Sequence, residues 1–320
     1  MSSPSPPVEL PTSYATLNLQ HITVQHVPAS SPTPTKVILV KLDRPGKNNA
    51  FTVPMYESLE KVYRLFDVDE RVKAVVLTGA GRMFCAGADL EPKGAGNQKP
   101  VAESPDDDVE RTHRDTGGRV SLAMHQCSKP TIAAIQGAAV GVGITMTLPA
   151  AIRIAYSKAK IGFVFARRGI VMEGCSSFFL PRLIGVSRTL HLTTTGEVYP
   201  ADHPLLNGLF SETQPSPEAT LQRALDIAET VVNNTSVVST KLMRDMVYRG
   251  PASAEEAHLL ESRLLSVLGG SSKDALEGAR SFLEKRQANF QGSMRQDAPR
   301  SWPWWSQVDI GQRNPNSAKL

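Results

Sequence analysis

The sequence predicts an α/β fold in which strand–helix units come first and helices come last. Short apolar runs at residues 37–42 and 74–79 have the length of strands. Residues 217–235 and most of 236–291 instead repeat apolar positions at the spacing of amphipathic helices. The 320-residue chain is 41% hydrophobic and 21% charged, which is typical of a soluble globular protein with a sizeable core.

The charge balance and one long uncharged segment limit the classes of partner. The net charge of +4 is too mild to require nucleic acid or a membrane surface. Residues 130–152 carry no charge and have the length of a membrane span. They contain Gln136, Pro149 and many small residues. We therefore expect a buried segment of a globular protein, with no nucleic-acid partner and no membrane span.

The cysteine pattern argues against a disulfide framework and against a metal site. The three cysteines, Cys85, Cys127 and Cys175, form a sparse and odd-numbered set, as is usual in a reducing compartment. None of them has metal-ligand spacing to another cysteine or to a histidine pair.

The elements follow in order along the first third of the chain. Residues 1–35 are rich in Ser, Pro and Thr and are predicted to form a flexible arm. A strand follows at 37–42. A helix from Thr52 is predicted because four apolar residues recur at helical spacing, namely Met55, Leu59, Val62 and Phe66. The nearly all-apolar strand 74–79 is expected to be covered on both faces.

The middle of the chain alternates between polar and apolar segments. Residues 91–115 are predicted to form a long surface loop or insertion, and a helix over 118–128 follows. Strand 131–136 leads into a glycine-rich turn and a short helix that Pro149 closes. The remaining predicted elements are strands at 153–156 and 160–163, a loop that carries Glu173, and helices from Ser176 onward.

Two glycine-containing turns are candidates for binding an oxygen atom. They lie at residues 86–89 and 141–143. If they are adjacent, the N–H groups of Ala88 and Val142 can converge on one oxygen, as in an oxyanion hole. The alternative for each is a tight turn without a ligand. The glycines do not have the G-x-G-x-x-G spacing of dinucleotide sites, so neither NAD nor ATP chemistry is expected.

Several motifs together resemble one family. They are KLDRPGKNNAFT (41–52), VVLTGAGRMFCAGADL (75–90), KPTIAAIQGAAVGVGITMTL (129–148) and GIVMEGCSSFFLPRLIG (169–185), and the pattern continues to residue 290. This order resembles the crotonase superfamily, the enoyl-CoA hydratase/isomerase family. The resemblance implies a ββα spiral core over 36–210 and a helical trimerisation subdomain over 211–291. It also implies a homotrimer or a dimer of trimers.

The resemblance also implies an acyl-CoA thioester substrate and a set of site residues. Hydratases of the family use two glutamates, whose places are taken here by Thr145 and Phe165. Glu173 instead matches the single catalytic glutamate of Δ3,Δ2-enoyl-CoA isomerases. The predicted catalytic groups are Glu173, Ala88 and Val142, and the predicted substrate contacts are Ala86, Ala88, Asp89, Leu90, Val142, Phe165 and Lys47. No metal is expected, and no cofactor is expected because CoA is part of the substrate.

The predicted reaction moves the double bond of a 3-enoyl-CoA to the trans-2 position. One alternative is a hydratase acting on an unusual acyl-CoA in lipid or secondary metabolism. Another is a non-catalytic acyl-CoA-binding oligomer. Glu173 has its own alternative, a surface glutamate paired with Arg167 or Arg168, and Asp89 is expected to brace its turn rather than react.

The C-terminal tail, residues 292–320, carries two further features. Ala318, Lys319 and Leu320 form a variant of the SKL peroxisomal address, which predicts an import receptor as partner and the peroxisome, otherwise the cytoplasm, as location. Three tryptophans, Trp302, Trp304 and Trp305, lie beyond the family-like region, and one interpretation is that they cover an apolar patch on this subunit or on a neighbour.

Overall fold

The computed structural model describes residues 9–90 and 112–310. Its strands are β1 (Ile22–Val27), β2 (Val37–Leu42), β3 (Ala74–Gly79), β4 (Thr131–Ile135), β5 (Ala139–Val140), β6 (Ile152–Tyr156), β7 (Lys160–Gly162), β8 (Val198–Pro200) and β9 (Glu212–Gln214). Its α-helices are α1 (Val53–Val68), α2 (Thr116–Gln126), α3 (Val142–Thr145), α4 (Ser176–Ile184), α5 (Val186–Thr195), α6 (Pro217–Asn234), α7 (Val237–Arg249), α8 (Ala254–Ser271), α9 (Lys273–Leu283) and α10 (Met294–Asp297).

The strands form two sheets, which confirms the α/β class. The larger sheet has the order β1-β2-β3-β4-β6-β9, and the smaller has the order β5-β7-β8. In the larger sheet β1 pairs antiparallel with β2, and every following pair is parallel. Between β4 and β6 the chain leaves this sheet to form β5 and α3, which brings the glycine-rich turn to the smaller sheet.

The larger sheet is buried on both faces, as predicted from the apolar strand 74–79. On one face lie the predicted core residues of α1, which are Met55, Leu59, Val62 and Phe66, all fully buried. On the other face, small side chains of α6 pack against the sheet, namely Ala224 and Ala228, together with Val232. The uncharged segment 130–152 is part of this interior, and no helix among the described residues is long and apolar enough to cross a membrane.

The prediction of a flexible arm over residues 1–35 is wrong for its described part. Residues 22–27 form β1, whose side chains alternate between buried and partly exposed positions. Ahead of β1, the buried Tyr14 donates its phenolic hydrogen to Asp69 Oδ2 over 2.9 Å. The Ser and Pro residues on both sides of β1 determine the composition of residues 1–35, so that composition does not reveal the six-residue strand. Residues 1–8 lie outside the described part of the chain.

The predicted boundary at residue 210 also requires correction. Strand β9 begins two residues later and pairs with β6, and α6 covers the sheet. The core therefore extends to the end of α6 at Asn234, and the segment that is helical without a strand begins with α7. Of the predicted insertion 91–115, residues 91–111 lie outside the described residues, and the part that follows leads directly into α2.

The tryptophans of the tail pack against their own subunit. The indole N–H of Trp302 donates to Asp245 Oδ2 over 2.8 Å, and that of Trp304 donates to the carbonyl of Arg249 over 2.9 Å. The Arg249 guanidinium lies 4.6 Å from the ring centre of Trp305. These contacts fasten the tail to α7. Ala318, Lys319 and Leu320 lie outside the described residues.

The Tyr14–Asp69 bond yields a test of the ordered N-terminal segment. Replacing Tyr14 by Phe removes a buried hydrogen bond to a carboxylate, so we expect the free energy of unfolding to fall by about 1.5–3 kcal/mol. Urea denaturation measures this change. Tyr156→Phe is the control, because the Tyr156 hydroxyl has no hydrogen-bond partner among residues 9–90 and 112–310. Equal stability of the two variants would contradict the docking of this segment.

Candidate active site

The two glycine-containing turns predicted from sequence lie side by side. Cys85, at the start of the first turn, forms a parallel bridge with Ala139 of β5. The N–H of Val140 donates to the Cys85 carbonyl over 3.1 Å. A side chain at Gly143 would overlap that same carbonyl oxygen. The backbones of the two turns are therefore in direct contact, with no room for a side chain at residue 143.

The peptide N–H groups of Ala88 and Val142 are available to a ligand. Phe51 bonds to the Gly87 carbonyl and to the Asp89 N–H, at 2.8 and 2.9 Å. Because successive N–H groups of an extended chain point to opposite sides, the Ala88 N–H points away from Phe51. Within the described residues, neither the Ala88 N–H nor the Val142 N–H has an acceptor. Both therefore remain candidates for donating to one substrate oxygen.

Gly87 allows the first turn to adopt this shape. Its φ of +99° is unfavourable for residues with a side chain, and a Cβ there would lie 3.0 Å from the Val140 carbonyl oxygen. A substitution at this position would separate the turns and move the Ala88 N–H.

Glu173 extends its carboxyl group toward the second turn. Its backbone is held by Ser176, whose N–H and hydroxyl both donate to the Glu173 carbonyl, at 3.0 and 2.6 Å. The Thr145 hydroxyl of α3 donates to Oε1 over 2.5 Å. The other oxygen, Oε2, occupies the space beside Gly117, where a Cβ would overlap it and would lie 3.0 Å from Val142 Cγ2. The carboxyl group thus lies next to Val142.

The surroundings move the pKa of Glu173 into the range that suits a general base at neutral pH. Burial raises its pKa from 4.5 to about 7, the Thr145 hydrogen bond opposes this shift, and the negative charge of Asp115 adds to it. A general base works best when its pKa is close to the operating pH. The alternative that Glu173 pairs with an arginine is wrong for the described structure, because neither Arg167 nor Arg168 forms an ion pair with it.

Asp115 is the site residue that the sequence analysis missed. It caps the N-terminus of α2, with Oδ1 accepting the Gly118 N–H over 2.5 Å. The same oxygen accepts the Gly174 N–H over 3.3 Å, directly after Glu173 in the chain. An aspartate immediately before a helix is a recognisable N-cap signal. In this sequence the signal is hidden, because Asp115 ends a polar segment whose composition predicts a surface insertion.

The remaining predicted site residues divide into bracing, core and surface positions. Asp89 is buried and braces the first turn, as expected, through an ion pair of 2.9 Å with Arg44. Phe165 lies in the same apolar core as Val142. Leu90 and Lys47 are exposed. The Ala86 N–H donates to the Asn48 carbonyl over 3.1 Å, which joins the segment carrying Lys47 to the first turn.

The thiols near the site are not suited to act as nucleophiles, and the described residues form no metal site. Burial raises the pKa of the Cys85 thiol to about 12 and that of Cys175 to about 11, so both stay protonated at neutral pH. Throughout residues 9–90 and 112–310, no three His, Cys, Asp or Glu side chains are grouped so that they could hold a metal ion.

Comparisons with known proteins identify the family of the chain. The family model described as "Enoyl-CoA hydratase/isomerase" matches residues 33–293. The enoyl-CoA hydratase AFT3-1 of Alternaria alternata is 50% identical over 262 residues, which cover 82% of this chain and 85% of the relative. The 1,2-epoxyphenylacetyl-CoA isomerase of Escherichia coli is 29% identical, with coverages of 80% and 95%. The crystal structure of an enoyl-CoA hydratase from Bacillus anthracis superposes with a TM-score of 0.71 at 27% identity, covering 86% of this chain and all of that one.

The raised pKa of Glu173 predicts a pH-dependent effect on stability. Between pH 4.5 and 7 the unfolded chain loses the Glu173 proton while the folded protein keeps it, so this group destabilises the fold as the pH rises. Glu173→Gln cannot ionise. We expect its free energy of unfolding, relative to the natural protein, to increase by up to about 3 kcal/mol between pH 5 and 8.

Denaturant unfolding at several pH values measures this difference. Glu229→Gln, on the exposed surface of α6, is the matched control and is expected to show no such increase. A Glu173→Gln difference that stays constant with pH would contradict the burial of this carboxyl group.

Proposed function

Because the chain belongs to the enoyl-CoA hydratase/isomerase family, we propose that it moves the double bond of a 3-enoyl-CoA to the trans-2 position. The observation that carries the proposal is the buried carboxyl group of Glu173, with a pKa raised to about 7, beside the Val142 side chain. The hydroxyl group of Thr145 occupies the position where the resemblance places a hydratase glutamate, and it already bonds to Glu173.

In the proposed reaction the backbone polarises the thioester and Glu173 transfers the proton. The N–H groups of Ala88 and Val142 donate to the thioester oxygen and stabilise the negative charge that develops there. One such donor typically contributes about 2.7–4 kcal/mol of transition-state stabilisation. Glu173 removes the C2 proton, and the electron pair of the broken C–H bond is delocalised onto the thioester oxygen as a dienolate. The same proton then returns at C4, and the double bond moves from C3–C4 to C2–C3.

This reaction needs one acid–base group, and no electrons are gained or lost. Glu173 begins as the carboxylate, becomes protonated and ends as the carboxylate again. We therefore propose that no cofactor is required beyond the CoA ester of the substrate. The apolar side chain of Phe165 is proposed to form a wall that limits water near the carbanion, consistent with its burial beside the core.

Hydration of a 2-enoyl-CoA is the second candidate. It is favoured by the names of relatives at 49–50% identity from Alternaria alternata, which are called enoyl-CoA hydratases. Glu173 would then activate a water molecule. Asp115 is a second carboxylate nearby, but its Oδ1 already accepts two backbone N–H groups, so it is better suited to holding the loop than to transferring protons.

A non-catalytic acyl-CoA-binding role is less well supported. A glutamate without a chemical task would be expected to face solvent, whereas the Glu173 carboxyl group is buried enough to shift its pKa.

The assembly and location belong to the same proposal. We propose a homotrimer or a dimer of trimers, because α8 and α9 expose large apolar side chains on the monomer, with Leu265 exposed by 70% and Phe282 by 81%. The peroxisomal location and its import receptor rest on the sequence Ala318-Lys319-Leu320.

A product-resolved assay with 3-enoyl and 2-enoyl CoA thioesters tests the reaction. Glu173→Ala is expected to lower the rate of double-bond migration by about 10²–10⁴-fold, since it removes the acid–base group, while acyl-CoA binding stays nearly unchanged. The control Glu229→Ala is expected to retain full activity. Full isomerase activity in Glu173→Ala would overturn the assignment.

The same assay in heavy-oxygen water separates the two candidates. Isomerisation forms no bond to water oxygen, so we expect no label in the product. Hydration would place one labelled oxygen in a 3-hydroxyacyl-CoA. Label incorporation at a rate equal to or above that of double-bond migration would favour the hydratase.

A further inference from the structure

Thr145 makes an unusual hydrogen bond for a threonine near a helical turn. Threonine hydroxyls in such positions commonly donate to a backbone carbonyl of the preceding turn. Thr147 and Thr189 do so here, bonding to the carbonyls of Ile144 and Gly185 at 2.8 and 2.9 Å. The fully buried Thr145 hydroxyl instead bonds to a side chain 28 residues away, at Glu173.

From this contact we propose that Thr145 is a positioning residue, whose hydroxyl holds Oε1 of Glu173 so that Oε2 exchanges the proton with the substrate. The inference rests on the proposed function, because it assigns a task within that reaction. It also gives a role to the residue that stands in place of a hydratase glutamate.

The surroundings of the carboxyl group distinguish its two oxygens. Oε1 is bound by Thr145, and Gly174 packs against the same hydroxyl, with a Cβ position only 2.7 Å from Thr145 Oγ1. Oε2 occupies the space that the absent side chain of Gly117 leaves, next to Val142. The oxygen without the threonine bond therefore lies near the side chain of Val142, the residue whose N–H is proposed to bind the thioester.

The charges around Glu173 make the Thr145 hydroxyl important for ionisation. Asp115, from the N-terminus of α2, carries a negative charge that disfavours the carboxylate. Cys85 and Cys175 also face the group, and burial keeps the pKa of both thiols far above neutral pH. Of the side chains that shift the pKa of Glu173, Thr145 alone stabilises its charged form in the described structure.

Thr145→Val tests this role, because valine keeps the shape of threonine and removes the hydroxyl. The Glu173 carboxyl is titrated by ¹³C NMR in the ligand-free protein, with Glu173→Gln used to assign its signal. We expect the pKa of Glu173 to rise on the order of one unit, since a hydrogen bond to the carboxylate is lost. The low-pH limb of the kcat/KM profile for a 3-enoyl-CoA should move upward by the same amount.

At pH 7 the Thr145→Val variant is also expected to lose about tenfold or more in kcat, because the base is both less ionised and less well oriented. Thr145→Ser, which retains the hydroxyl, should restore the titration and most of the rate. Thr147→Val is the matched control: it makes the same chemical change at a buried threonine nearby that bonds only to backbone. It should leave both profiles unchanged.

The possible results separate this inference from the proposed function. An unmoved titration in Thr145→Val, or failure of a folded Thr145→Ser to restore it, would overturn the inference. The pKa of Glu173 could instead rise in Thr145→Val while the natural protein isomerises no 3-enoyl-CoA. That result would support the hydrogen bond from Thr145 to Glu173 and overturn the proposed function.

Discussion

The close approach of two backbone segments, at Cys85 and at Gly143, is the constraint on which the site depends. The Cys85 carbonyl can lie this close to the backbone of residue 143 only because that residue is glycine and has no side chain. The bridge between Cys85 and Ala139 then sets the first turn against β5, and the bonds of Phe51 on both sides of Ala88 fix the direction of the Ala88 N–H. Without this contact the two N–H groups would belong to separate loops, and α3 would not place Thr145 near Glu173.

The chemistry of the site comes from isolating one carboxyl group. A buried carboxylate is unfavourable unless hydrogen bonds compensate for lost hydration. Here burial and the charge of Asp115 raise the pKa of Glu173 to about 7, while the Thr145 bond opposes this shift. The N-terminus of α2 has a second task, because Asp115 ties the Gly174 backbone in place. The same few residues thus influence both the position and the ionisation of the Glu173 carboxyl group.

Much of the fold was predictable from local patterns, and so was the choice of Glu173 as a candidate site residue. Strands β2 and β3 are short apolar runs, and α1 repeats its apolar residues at helical spacing. The two turns are recognisable from their glycines and small residues, whereas Glu173 is recognisable because its motif resembles that of one family. Strand β1 was missed because its alternation spans only six residues inside a Pro-rich segment. The bond between Thr145 and Glu173 joins residues far apart in the chain, and no local pattern encodes such a contact.

The two adjacent glycines at the start of α2 show where the stability of this protein conflicts with its activity. Glycine in a helix is about 1 kcal/mol less favourable than alanine, so Gly117 and Gly118 weaken the first turn of α2. A side chain at Gly117 would displace the Glu173 carboxyl, and one at Gly118 would lie 2.5 Å from Asp115 Oδ2. Replacements that ordinarily strengthen a helix would therefore damage the site. Natural selection for activity would retain the weaker helix, a trade-off between stability and activity located at a single helix terminus.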